Sequence, residues 1–288
     1  MGNFSRARPL LGTLVTITAE GPPRAVVVGV ARAFQAVEAV ERRMSFFNPN
    51  SDVSRLNREA VDAPVVVHAH TYRVLQQSQE FSRLSGGVFD VTVAGVLVRE
   101  GFLPPAEGRP APLRGASFND VRLGLGRRVR FRRPLWIDLG GIAKGFAVDQ
   151  ALAALRRAKV KKGWVNAGGD LAFFSDRLEP LWARHPERPD KMVSLGKVRQ
   201  GALASSSPAF RSHFRKGRRV SPFIYRGKSM GLNRSVTVAA PSAMWADALT
   251  KVALLSPGKA PALLRQFHAR ARVFSSVRQG VSVAELGE

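Results

Sequence analysis

The chain has 288 residues, 45% of them apolar, which is enough to bury a sizeable core in one large domain or two small ones. Its 45 Lys and Arg against 21 Asp and Glu leave a net charge of +24, which favours phosphate-bearing ligands, acidic proteins, nucleic acid or anionic lipid without choosing among them. The absence of cysteine excludes disulfides, thiolate metal sites, iron–sulfur clusters and cysteine nucleophiles.

From the start, Met1 to Pro9 lacks the apolar core of a secretory signal, and no later stretch has the apolar length of a membrane span, so a soluble cytoplasmic protein is the expectation. Leu10 to Glu20 alternates and is rich in Thr and Val, as in a strand. After Pro22-Pro23, the spacing of Val30, Phe34, Val37 and Met44 predicts a helix from Arg24 to about Arg43. A second helix is predicted from Thr71 to Leu84, with Gly86-Gly87 as its stop. The Pro/Gly/Ala stretch from Pro104 to Arg114 reads as an exposed loop, and it is where a single domain over residues 1–288 would divide into two subdomains. In Arg127 to Arg133, Val129 and Phe131 alternate with arginines. That is either a nucleic-acid stripe or a half-exposed hairpin strand, and the missing aromatic stacking platform favours the strand.

Leu135 to Leu139 reads as an apolar strand. The segment from Gly145 to about Lys159 reads as a helix through Phe146, Val148, Leu152 and Leu155, and Trp164 to Asn166 as another strand. The string fits a βαβ unit or helix-linked antiparallel strands equally well. Ser235 to Ala239 then reads as a strand and Ala243 to Leu255 as a helix, stopped by Ser256-Pro257-Gly258.

Three constellations carry chemistry. Gly140-Gly141 follows an apolar run and precedes a helix with Lys144 in its first turn. Glycines let backbone N–H groups approach an anion, a helix N-terminus adds partial positive charge and a lysine adds a full one. A tight turn with an exposed lysine has the same sequence. Asn166-Ala167-Gly168-Gly169-Asp170 is a second such turn, suited to a ligand at a strand end or to a hairpin needing positive φ. Asp247, Thr250 and Lys251 share one helical face, able to hold a metal or phosphate, or to be an acidic residue at a helix start paired with a lysine four positions on. The histidines at 68, 70, 185, 213 and 268 show no metalloprotease spacing, and His68-Ala69-His70 reads as exposed. No nucleophile elbow or triad order is present.

Taken in order, these motifs resemble those of the FAD:protein FMN transferase family, formerly described as thiamine-biosynthesis lipoproteins. The match runs through Leu11 to Ile17, Met44 to Asn57 after a helix containing Glu41, Gly87-Val88-Phe89-Asp90-Val91-Thr92, Trp136 to Asp149, Val165 to Asp170, and Ser235 to Val238 leading to Ala246-Asp247-Ala248-Leu249. The resemblance implies an α+β fold with mainly antiparallel sheets and packed helices. It also implies an enzyme that moves FMN from FAD to a Ser or Thr hydroxyl of an acceptor protein in a flavin-dependent redox system, releasing AMP. Leu11, Phe47, Val88, Phe89, Asp90, Asp138 and Lys144 would line the flavin nucleotide. Mg²⁺ would be held by the Gly141 carbonyl, Asp247 and Thr250, with Asp247 and Lys144 catalytic. Members of the family are often exported, and the net charge, separately from the resemblance, leaves electrostatic contact with an anionic membrane surface open.

The chain departs from the family's pattern in two places. Lys251 stands where relatives carry a hydroxyl, with Thr250 one position earlier; an ammonium cannot ligate a cation but would neutralise pyrophosphate in its place. Val220 to Gly227 replaces His-x-x-Asp-Pro-x-Thr-Gly, and Ser205-Ser206-Ser207 only loosely echoes the Thr-Ser-Gly before it. A divergent flavin-binding protein without transfer activity is the alternative, and nucleic-acid binding through the arginine-rich segments is a third reading.

Overall fold

The structure is a computed structural model of the chain and describes residues 2–104, 108, 112–184, 192–208, 212–277 and 280–287. Six of the residues between Pro104 and Arg114, and His185, lie outside the described residues. The chain begins with β1 (Gly2–Leu10), β2 (Thr13–Gly21), α1 (Pro23–Met44), α2 (Asp52–Glu59), β3 (Val65–Val66), α3 (Ala69–Leu84) and α4 (Ala94–Arg99). It continues with β4 (Val121–Gly124), β5 (Arg128–Phe131), α5 (Ala143–Arg157), β6 (Lys162–Ala167), β7 (Asp170–Arg184) and β8 (Met192–Ser206). Four short strands follow: β9 (His213–Arg215), β10 (Arg218–Val220), β11 (Ile224–Tyr225) and β12 (Lys228–Ser229). The last elements are β13 (Arg234–Ala240), α6 (Ala243–Leu255), α7 (Ala260–Gln266), β14 (Arg270–Val277) and β15 (Gly280–Leu286).

Two compact units emerge, Met1–Glu41 with Lys144–Ser207 and Asn233–Glu288, and Arg42–Ala143 with Pro208–Leu232. The first is built on an eight-stranded sheet in the order β1-β2-β6-β7-β8-β13-β14-β15, in which every neighbouring pair is antiparallel. In β2 the inward residues Val15, Ile17 and Ala19 alternate with more exposed ones, as period-two patterning requires. In α1, Val26, Val30, Ala33, Phe34 and Val37 form one buried stripe at helical spacing. α6 is buried almost all round and packs on β8 and β13, so its polar residues Asp247 and Thr250 are taken into the interior with it.

The second unit holds α2, α3, α4, the antiparallel sheet β3-β5-β4 and the hairpins β9-β10 and β11-β12. β5 buries Val129 and Phe131 and exposes Arg128 and Arg130, the half-exposed strand that the alternation predicts.

Two local expectations are corrected, and one of two open readings is chosen. Leu135 to Leu139 joins no sheet: the Asn57 side chain takes the place of a neighbouring strand, donating to the Ile137 carbonyl at 3.0 Å and accepting from its N–H at 2.8 Å. No βαβ unit forms, because β6 is antiparallel to both neighbours and α5 follows irregular backbone. His68 is not simply exposed; it is the N-cap of α3, its Nδ1 accepting the His70 N–H at 3.1 Å. The α+β class with mainly antiparallel sheets stands as expected.

Candidate active site

Two tight hairpins of the first unit meet at one end of its sheet. Leu10 pairs with Thr13 across Leu11 and Gly12, whose φ values are 57° and 68°. Both central residues of such a two-residue turn need positive φ, and for a leucine this costs on the order of 1 kcal/mol. The turn is held by the Leu11 N–H, which donates to Glu41 Oε1 at 2.8 Å. Ala167 pairs with Asp170 across Gly168 and Gly169, with φ of 63° and 102°. Val15 lies opposite Ala167, so the turns abut, and a Cβ on Gly168 would fall 2.4 Å from Thr13 Oγ1. The second glycine pair is therefore a hairpin turn, and that turn delivers Asp170 to the sheet end.

The start of α5 is docked on the start of α6 by backbone contact. A Cβ on Gly145 would sit 2.2 Å from the Ala243 carbonyl oxygen, so only glycine permits the approach. One turn later, the Asp149 carboxylate accepts the N–H groups of Ala243 at 2.8 Å and Met244 at 3.0 Å, while Ser242 accepts that of Trp245. Asp149 is thus the acid that answers the α6 dipole. Asp247 lies a turn further in.

This docking brings four charges together. Lys144 forms an ion pair with Asp170, whose side chain is 3% exposed, and Lys251 one with Asp247, 1% exposed. Asp247 Oδ2 also accepts the Gly145 N–H at 3.4 Å. Lys251 donates to the Asp247 carbonyl oxygen at 3.0 Å as well, and the Thr250 hydroxyl donates to that same oxygen at 2.6 Å. The Ser206 hydroxyl bonds Thr250 Oγ1 at 2.8 Å. Burial and then the neighbouring Asp247 charge push the Asp170 carboxyl above the usual range, with both lysines opposing. Burial pushes the Asp247 carboxyl up too, but Lys251 first, then Lys144, with hydrogen bonds from Lys251 and Gly145, outweigh it and hold it low. Asp247 is the ionised anchor of the cluster, and the mutual influence of all four groups makes it one electrostatic site.

Of the residues expected at the site, Leu11, Lys144, Asp247 and Thr250 belong to this sheet end. Phe47, Val88, Phe89, Asp90, Asp138 and Gly141 belong to the second unit. There Phe47 is 69% exposed and presents an aromatic face, whereas Val88 and Phe89 are buried and Phe89 packs edge-on against Phe81. Asp90 accepts from the Thr92 N–H and hydroxyl and from the Phe118 N–H. Asp138 Oδ2 accepts the Gly140 N–H at 3.1 Å, and Gly141 is half-buried. The divergent stretch Val220 to Gly227 runs from the end of β10 through the first strand and turn of the β11–β12 hairpin, and Ser229 Oγ ties it down, accepting from the Ser221 N–H and donating to its carbonyl.

The predicted set omits Asp170, Asp149 and Ser206. A carboxylate directly after a Gly-Gly hairpin was the available signal for Asp170. Asp149 and Ser206 gain their roles from contacts to α6, which carry no sequence signature.

The ApbE family model matches residues 11–274. Among curated proteins, the chain is 28% identical over 299 residues to the FAD:protein FMN transferase of Treponema pallidum, covering 92% of this chain and 82% of that protein. Among solved structures it resembles the ApbE protein of Thermotoga maritima, with a TM-score of 0.84 and 24% identity over 100% of this chain and 97% of that one. The apo flavinyl transferase ApbE of Pseudomonas stutzeri superimposes with a TM-score of 0.82 at 21% identity, covering 99% and 95%.

Proposed function

The chain belongs to the ApbE family, and on that premise we infer that it is an FAD:protein FMN transferase acting on a serine or threonine hydroxyl of an acceptor protein. FAD less FMN is AMP, so AMP is the second product. The hydroxyl oxygen forms a bond to the FMN-side phosphorus, the bond from that phosphorus to the bridging oxygen breaks with its electron pair going to AMP, and the hydroxyl proton is released to solvent. Such chemistry asks the protein for positioning and for neutralisation of phosphate charge. The observation that carries the reading is Lys144, held by buried Asp170 at the sheet end beside the Leu11-Gly12 turn. A lysine fixed in this way can supply positive charge to a pyrophosphate. A flavin-dependent redox protein fits as the acceptor, since only such a protein gains function from a covalent FMN.

Magnesium, which the family resemblance implies, is not part of this reading. Asp247 Oδ1 is held by the Lys251 ammonium, Oδ2 faces the Gly145 N–H, and the Thr250 hydroxyl hydrogen is turned to the Asp247 carbonyl. A cation against that ammonium would meet repulsion of roughly 4 kcal/mol per unit of its charge at 4 Å. Among the described residues no group of three His, Asp or Glu side chains offers an alternative. The donor set of Asp247 and Thr250 does not fit a divalent ion, and no step is routed through one.

The test is to incubate the chain with FAD and an acceptor carrying the flavinylation sequence, and to follow covalent in-gel flavin fluorescence together with AMP release. We expect both, reduced roughly a hundredfold in Lys144→Ala. FAD binding without covalent flavin would instead make the chain a divergent flavin-binding protein.

A further inference from the structure

Asp247 carries its own cation. In an α-helix the side chains four residues apart lie on one face, and Lys251 uses that geometry twice, donating to the carboxylate and to the carbonyl oxygen of Asp247. An ammonium has three donors. Two are used inside α6, and the third has no acceptor among the described residues. The Lys251 side chain is 19% exposed and that of Asp247 1%, so nearly all the surface that the pair shows belongs to the lysine. Of the nearby hydroxyls, Thr250 is committed to the Asp247 carbonyl and to Ser206, and on β8 Ser205 bonds Thr237 at 2.9 Å. Among the described residues Lys251 therefore keeps a donor that can meet an incoming anion, and a buried carboxylate holds it in place.

We propose that the Lys251 ammonium is the built-in cation of this active site: it donates its third N–H to a pyrophosphate oxygen of FAD, and FMN transfer by this chain proceeds without a divalent metal. The proposal rests on the FMN-transfer reading above and adds a catalytic residue to it. Bond making and breaking are those already described. No proton is transferred to or from Lys251 in this step, and its charge, like that of Lys144, offsets the negative charge accumulating on the phosphate oxygens as AMP departs. An ammonium is a compact point charge that suits a phosphate without requiring a coordination sphere.

Three measurements decide it, all on the full chain. The first is FMN transfer by EDTA-dialysed protein, in EDTA and after addition of Mg²⁺. Equal rates are expected, and a loss in EDTA of roughly tenfold or more, restored by Mg²⁺, overturns the proposal. The second is Mn²⁺ binding followed by electron paramagnetic resonance without nucleotide. The wild type is expected to leave Mn²⁺ free, and binding that Asp247→Asn removes overturns the proposal. The third compares FAD with riboflavin, which has no phosphate, by flavin fluorescence. Lys251→Gln should weaken FAD roughly tenfold and leave riboflavin unchanged, with Lys251→Arg restoring FAD affinity; an unchanged FAD affinity in Lys251→Gln overturns the role of the lysine. If no transfer is seen under any condition, the transferase reading fails, while the titrations still decide whether Lys251 meets the pyrophosphate.

Discussion

Asp90 shows how a single carboxylate can be well bonded and still out of place at neutral pH. It accepts from the Thr92 N–H and hydroxyl and the Phe118 N–H, yet burial outweighs these and raises its carboxyl above the usual range, with nearby Asp120 adding to the shift. A raised folded-state pKa means that the protonated form favours folding. The contribution is fully present below the unfolded value of about 4 and is lost as pH rises through the folded value. Urea unfolding of the wild type and Asp90→Asn should therefore show the difference moving in favour of the wild type as pH falls from neutral towards 4; a difference that is flat with pH would contradict this. At this scale the sequence was informative where partners are local. Asp247 and Lys251 are four apart on a helix and do pair. Asp170 and Lys144 are not visible as a pair, because nothing local relates residues 26 apart; the hairpin and the sheet bring them together.

The helices and strands themselves were largely readable. α6 spans Ala243–Leu255, the same residues its apolar run and Ser-Pro-Gly stop predict, and β5 carries the alternation read from its arginines. Leu135 to Leu139 was misread because an apolar run bounded by turns looks the same whether its backbone groups are satisfied by a strand or by an asparagine 80 residues away. Gly140-Gly141, before α5, carry the reading for anion approach, whereas the glycine inside α5 has a different reason, which the sequence did not show. Gly145 lets two helix starts touch backbone to backbone, and this contact also sets the Gly145 N–H on Asp247. Gly145→Ala forces a Cβ against the Ala243 carbonyl, backbone that cannot rotate away as a side chain could. A destabilisation on the order of 3 kcal/mol in urea unfolding is expected, with a loss of FMN transfer beyond what stability explains. Full stability in that variant would show the α5–α6 contact to be looser than described.

At the scale of the whole molecule, the chain crosses between its two units four times, so each is assembled from separated stretches. The net charge of +24 belongs to this scale too. Charge of that size predicts binding to vesicles rich in anionic lipid at low salt, lost by about 1 M salt where the screening length is about 3 Å, and no binding to zwitterionic vesicles. Co-sedimentation measures this, and salt-resistant binding would mean that apolar contact rather than charge is responsible.

By itself the sequence determined most element positions and the face on which Asp247, Thr250 and Lys251 lie, because these depend on periodicity, turn chemistry and spacing within a few residues, while the α+β class came from the resemblance of its ordered motifs to those of a family. The tertiary structure alone decided that two abutting hairpins and two docked helices gather Lys144, Asp170, Asp247 and Lys251 into one buried charge cluster. It alone decided that the Lys251 ammonium is bonded to both the carboxylate and the carbonyl oxygen of Asp247. Burial and charge pairing between distant segments set those outcomes, and neither quantity exists until the chain has folded.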